Sequence, residues 1–186
     1  MANQEVATSM LLFRIFGLLA LAGSAAVMVT NHLTYSNGIK TTFKDVITYR
    51  YVLSTALIGA AYLLVQLPFA IYHACTEKRI FRNGCLPEFD FYGDKLISLI
   101  LATGVGAGFA ISFELKKFIR DFFDVLLTFD IPLDDDDKSK AIKFLNRGII
   151  STGLLALGLV CMVIVSVLSS INRNSSRGGF FRRSNN

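Results

Sequence analysis

The sequence predicts an all-α integral membrane protein, a four-helix bundle with both termini on the same side of the bilayer. Three observations carry this. The chain of 186 residues is 53% hydrophobic and only 18% charged, with a mean hydropathy of +0.51; an ordinary soluble domain carries about a quarter charged residues. Four apolar runs reach the roughly 20 residues that cross about 30 Å of hydrocarbon. The charges crowd into the segments between those runs, the distribution that bilayer insertion imposes.

The composition also excludes several classes. A net charge of +5 could suggest nucleic-acid binding, but the basic residues form no continuous stripe. The chain is too apolar for a disordered protein, and 3 Cys are too few for a disulfide-stapled secreted fold.

The spans follow in order. Residues 10–30 contain one charge, Arg14, and residues 51–72 contain none. Residues 94–113 start with Asp94 and Lys95 and are otherwise uncharged, and residues 148–171 are uncharged throughout. Four soluble helices that are apolar on every face would have nowhere to put their outer surfaces. The first run exceeds a signal-peptide core of roughly 7–15 residues and lacks a basic leader, so it reads as a span. Residues 1–9 then form a short N-terminal segment and residues 172–186 a basic tail of Arg, Ser, Asn and Gly with the pair Phe180-Phe181. That tail cannot build a core; it reads as a solvated end or a weak contact with an anionic membrane surface.

Lys and Arg are nearly equal in number on the two sides, so the positive-inside rule gives only a lean toward cytoplasmic termini, from the acid-free basic tail. After the third span, Leu115, Phe118, Ile119, Phe122, Phe123 and Leu126 recur at helical spacing with charges between them. This amphipathic stretch either lies in the interface plane or continues the third helix.

Intramembrane charges are the most informative residues, because one left unpaired costs about 2.5–3.5 kcal/mol on insertion scales. Arg14 lies one turn into the first span and Asp94 at the start of the third. Odd-numbered spans run in the same direction, so both sit at one membrane face and can pair. The competing reading has Arg14 reaching to the headgroups and Asp94 capping its helix. Small residues are the second signal. Gly104 and Gly108 form a G-x-x-x-G in the third span, and Ala22 with Ala26, Thr55 with Gly59, and Thr152 with Ala156 repeat the spacing. Such faces let helices approach closely, either within the bundle, the simpler reading, or between copies.

Catalytic and metal constellations are weak. His32 and His73 follow ends of antiparallel spans and fall on opposite faces, so they cannot share a metal. Cys75 and Cys85 flank a loop placed in the cytosol, where disulfides are disfavoured; Cys75 is a candidate for palmitoylation. Cys161 reads as a small apolar side chain. The acidic run Asp134 to Asp137, after Asp130, lacks the turn glycine and terminal glutamate of a calcium loop and reads as solvated. No cofactor, no metal and no catalytic residues are expected.

The sequences LLFRIFGLLAL around Arg14, YRYVLSTALIGAAYLLVQ opening the second span and FDFYGDKLISLILATGVGAG around Asp94 resemble the plant Casparian strip membrane domain protein-like (CASP-like) family, similar in plan to the wider MARVEL group. The resemblance spans roughly Leu11 to Ser170. It implies a multi-pass plasma-membrane protein with cytoplasmic termini, in which Arg14 and Asp94 are the characteristic intramembrane charges. It also implies homodimers and heterodimers or larger oligomers with related family members, forming membrane scaffolds in the lipid bilayer. The first outer loop, NHLTYSNGIKTTFKDVITY, lacks the extended signature of strip-forming members, so the resemblance implies a general scaffold rather than strip construction.

The leading expectation is therefore a non-enzymatic scaffold. The alternative is a small channel or transporter subunit in which Arg14, Asp94 and Gln66 line a polar path, disfavoured because intramembrane polar groups are scarce.

Overall fold

The structure is a computed structural model that describes the backbone of residues 2–34, 40–76, 85–128 and 135–182, and the side chains of 8–34, 40–71, 92–125 and 138–171. Four long helices dominate: α1 (Ala2–Val29), α2 (Ile47–Thr76), α3 (Cys85–Thr128) and α4 (Asp135–Arg182). Each contains a segment long and apolar enough to cross a membrane: Thr8–Val29, Ile47–Ile71, Tyr92–Val125 and Lys138–Ile171. Leu12, Phe16, Leu19, Leu64, Val65, Leu99 and Val160 all point outward. In water that coat would be an aggregation surface, whereas in a bilayer it is the lipid contact.

Around the bundle, α1 packs on α2 and α4, and α3 packs on α2 and α4, whereas α1 and α3 lie across the diagonal and scarcely touch. The core between them holds Leu21, Met28, Val52, Leu63, Leu101, Leu155 and Met162.

Hydropathy places the membrane but not the helix ends. At 44 residues α3 is about 66 Å long, more than twice the hydrocarbon thickness. The amphipathic stretch after residue 113 is thus the direct continuation of α3, and it pairs with the first turns of α4 to form an antiparallel hairpin that projects past the ends of α1 and α2. Lys116 donates to Asn146 at 3.1 Å and Lys138 pairs with Asp124 at 3.8 Å across that hairpin. At the opposite end α3 begins at Cys85, so Asp94 stands inside the helix and does not cap it. In the tail, the backbone of α4 continues helically to Arg182. Helical hydrogen bonds are local and need no core, which is why a composition unable to pack can still hold this backbone form.

The segment between α1 and α2 holds an unexpected two-stranded ribbon, β1 (His32–Thr34) antiparallel to β2 (Lys40–Thr42), with Leu33 opposite Thr41. A connection of five residues that contains a glycine, Gly38, is the sequence signal for it. A 3₁₀ turn at Phe43–Asp45 follows, where the Asp45 carboxylate accepts from the Thr42 backbone N–H at 2.7 Å and from its hydroxyl at 3.1 Å. Leu33 is buried beneath the ribbon, and Asn31 Nδ2 donates to the Phe144 carbonyl at 3.0 Å, fastening this cap to α4.

Glycines set how closely the helices approach. A Cβ on Gly108 would fall 2.8 Å from Thr152 Cγ2 and 3.0 Å from Val52 Cγ2, and one on Gly104 would overlap Thr55 Oγ1. Leu21 fills the notch left by Gly59 and Gly158, with hypothetical Cβ contacts of 2.9 and 2.6 Å. Gly106, between the two inward glycines, meets nothing within 4 Å. Gly108→Val is therefore expected to destabilise the bundle by about 1–3 kcal/mol through overpacking against two stiff β-branched side chains. Gly106→Ala is expected to be neutral or slightly stabilising; unfolding titrations in bicelles check both.

Candidate functional site

At the end of the bundle where α1 begins and α4 ends, the spans contribute a cluster of polar side chains. Arg14 arrives from α1, Tyr62 and Gln66 one turn apart from α2, and Asp94 with Ser98 one turn apart from α3. An i, i+4 spacing puts each pair on one helix face, and the antiparallel order brings the late part of α2 level with the early parts of α1 and α3.

Arg14 Nη2 lies 3.5 Å from Asp94 Oδ2; the carboxylate side chain has 0% exposure and the guanidinium side chain 9%. Tyr62 Oη donates to the other carboxylate oxygen, Oδ1, at 2.8 Å, and Gln66 Nε2 in turn donates to Tyr62 Oη. Ser98 Oγ donates to the Asp94 backbone carbonyl at 2.7 Å. Arg14 Nε has no hydrogen-bond partner among the described residues. Because α1 and α3 face each other across the diagonal, the long arginine crosses the bundle, and Tyr62 from α2 closes the third side.

Gly93 makes this arrangement possible. A Cβ there would stand 2.5 Å from Tyr62 Oη and 3.1 Å from the Tyr62 ring, so only glycine lets the phenol pass α3 and reach the neighbouring Asp94.

Elsewhere Thr55 and Thr152 donate to carbonyls of their own helices, at 2.8 and 2.9 Å, whereas other buried polar groups bond between helices. Ser24 Oγ donates to the Ser151 carbonyl at 2.8 Å while Ser151 Oγ donates to the Ser24 carbonyl at 2.9 Å, a reciprocal clasp between α1 and α4. Tyr49 Oη and Ser112 Oγ are 3.0 Å apart between α2 and α3, and Gly148 makes room for the Tyr49 phenol. Tyr51 Oη meets Thr103 Oγ1 at 2.7 Å on the outer side of the same helix pair.

The small residues named from spacing divide into two groups. Thr55 and Gly104 face each other, as do Thr152 and Gly108, and Gly59 receives Leu21 and Leu101, so these positions pack inside the bundle. Ala156 is half-buried, whereas Ala22 and Ala26 point outward. Among the described residues no three His, Cys, Asp or Glu side chains stand together as a metal site. His32 Nδ1 bonds the Thr30 carbonyl at 2.9 Å, at the loop end away from Arg14. Cys161 is half-buried in α4, its Cβ near Gly17. The side chains of His73, Cys75, Cys85, Asp130, Asp134 to Asp137, Phe180, Phe181 and the tail arginines lie outside the described residues.

Sequence reasoning missed Tyr62, Gly93 and the Ser24–Ser151 clasp. Their signal is present but faint: a tyrosine and a glutamine one turn apart in an uncharged span, and a glycine directly before the intramembrane aspartate.

Tyr62 is expected to matter through its hydroxyl alone. Tyr62→Phe should lower stability in bicelles by about 0.6–1.7 kcal/mol, the range of interhelical hydrogen bonds in membranes. Gly93→Val should cost more, because it displaces the whole ring, and adding Tyr62→Phe to it should cost almost nothing further.

The Casparian strip membrane protein domain matches residues 3–121, which include Arg14, Tyr62 and Asp94. CASP-like protein 4D1 of Ricinus communis is 37% identical over 163 residues, covering 86% of this chain and 88% of that protein. CASP-like protein 4D2 of Arabidopsis thaliana is 37% identical over 166 residues, covering 87% of each chain. CASP-like protein 4D1 of Sorghum bicolor is 32% identical over 173 residues, covering 87% and 89%. No solved structure matches. With four apolar spans, a domain match over most of its length and relatives aligned almost end to end, this chain belongs to the CASP-like family of plant membrane proteins.

Proposed function

We propose that this CASP-like protein is a non-enzymatic scaffold of the plasma membrane, with cytoplasmic termini, which self-associates and pairs with related proteins. The observation that carries the reading is the interhelical polar cluster at Arg14, Asp94, Tyr62 and Gln66. Gln66 donates to Tyr62, and Tyr62 and Arg14 each meet one oxygen of the Asp94 carboxylate, so the contacts run across three helices and the charges cancel. A group engaged in this way holds helices in register; a conduction path instead presents polar groups to a water-filled lumen. The Ser24–Ser151 and Tyr49–Ser112 contacts likewise join one helix to another, and the outward surface is largely apolar and available to lipid or a neighbouring protein.

A scaffold of this kind predicts more than one copy per assembly. Native mass measurement of the protein in lipid nanodiscs is expected to give multimers, and co-expression with a related family member should give mixed ones. A uniformly monomeric protein would contradict the reading. Liposomes that pass ions or small solutes in proportion to protein would favour a channel instead. For orientation, epitopes fused to either terminus are expected to bind antibody only in permeabilised cells.

A further inference from the structure

Beyond the membrane-spanning part, the projecting α3–α4 hairpin presents two different faces. On α3, Phe118, Phe122 and Val125 are 66%, 50% and 54% exposed and lie on one side of the helix, with Phe118 and Phe122 stacked at 6.0 Å. The same exposed side carries Glu114 and Asp121 along one flank, with Lys117 between them. On α4, Ala141, Phe144, Leu145 and Gly148 are buried toward the bundle, so Lys143, Arg147 and Ile150 face the other way and are exposed. No acid occurs anywhere on α4 from 138 to 171. One face is aromatic with two acids flanking one lysine, and the other is basic without an acid.

The Lys116–Asn146 bond and the Lys138–Asp124 ion pair fix which residues of the two helices stand level. By that register Glu114 stands level with Arg147 to within one residue, and Asp121 within two residues, about 3 Å of rise, of Lys143. This matters because copies inserted in one membrane share orientation and depth. Whatever a neighbour offers Glu114 must come from the same height, and so must whatever it offers Asp121. A contact of α3 with a second α3 would set each acid near its own copy. A contact of α3 with a neighbour's α4 sets Glu114 beside Arg147 and Asp121 beside Lys143, with the aliphatic part of the Lys143 side chain available to cover Phe118. The chain already uses such packing internally, where Lys138 Nζ stands 5.5 Å over the Phe123 ring.

We infer that the α3 face of the hairpin, Phe118, Phe122 and Val125 with Glu114 and Asp121, docks on the α4 face of a second copy, Lys143 and Arg147. The inference rests on the self-association proposed above and specifies its contact. The two faces lie on opposite sides of the hairpin, so the contact is head-to-tail. A head-to-tail contact propagates into a closed ring or an open row, whereas a two-fold contact stops at a dimer.

Cysteine crosslinking in membranes tests this. In a background with Cys75, Cys85 and Cys161 replaced by Ala, Phe118→Cys and Lys143→Cys on the same chain are expected to give a ladder of multimers with a short bismaleimide. Either substitution alone is expected to stay monomeric on a denaturing gel, and mixing the two single variants in one membrane should give dimers only. Glu114→Arg should reduce the ladder at least several-fold, and adding Arg147→Glu should restore it, an outcome that a folding defect would not produce. Crosslinking of Phe118→Cys with itself would overturn the head-to-tail contact. Absence of a ladder while the cysteine-free background remains multimeric in nanodiscs would overturn this surface and leave self-association standing; a monomeric background would overturn both.

Discussion

A carboxylate with no exposed surface, set in an apolar membrane-spanning helix, has no water to solvate it and must be satisfied by other side chains. Asp94 is in that position, and the arrangement around it follows from the requirement. One oxygen takes the cation, Arg14, and the other takes a phenol, Tyr62, which is itself held by Gln66. The cation must cross the bundle diagonal to arrive, so the pair links two helices that scarcely touch otherwise. Removing either charge leaves the other buried and uncompensated, typically several kcal/mol in protein interiors. Hence three helices share one geometric condition, and their relative depth in the membrane is set by it.

The close packing along the rest of the bundle depends on the same register. Gly104 against Thr55, Gly108 against Thr152, and Leu21 in the notch of Gly59 and Gly158 are contacts that exist only when the helices stand at particular heights. In lipid there is no hydrophobic drive to bring helices together, so shape and interhelical hydrogen bonds supply association. The Ser24–Ser151 clasp and the Tyr49–Ser112 contact repeat the lesson at other depths. Each consists of groups too small or too polar to serve as lipid contact, turned inward where a partner helix satisfies them. What is left for the outside is largely apolar over the span, and charged side chains join it on the hairpin beyond.

Much of this could be read from the residues. Span number, the apolar excess and the pairing of Arg14 with Asp94 at one membrane face all follow from the cost of charge in hydrocarbon, a strong and local constraint. The small-residue spacing identified Thr55, Gly59, Gly104, Thr152 and Gly108 but could not say which face of each helix is inward, because these spans are apolar all round and have no polar stripe to orient them. Ala22 and Ala26 show the consequence: the same spacing, pointing outward. Helix ends were less legible because hydropathy reports where the membrane begins, and α3 starts at Cys85, well before it. The ribbon between α1 and α2 rests on three-residue strands, too short to announce themselves by alternation. Tyr62 and Gly93 were hidden for a different reason, since their roles arise only when α2 and α3 are already side by side.

If Arg14 and Asp94 stabilise the bundle through each other, their contributions cannot be independent. A double-mutant cycle of Arg14→Leu and Asp94→Leu, read by reversible unfolding in bicelles, measures that coupling. Each single change is expected to be strongly destabilising, and the double variant should be more stable than the sum of the two losses predicts, with a coupling above about 1 kcal/mol. Losses that simply add would mean that the two charges act independently, and the pair could not then be what keeps three helices in one register.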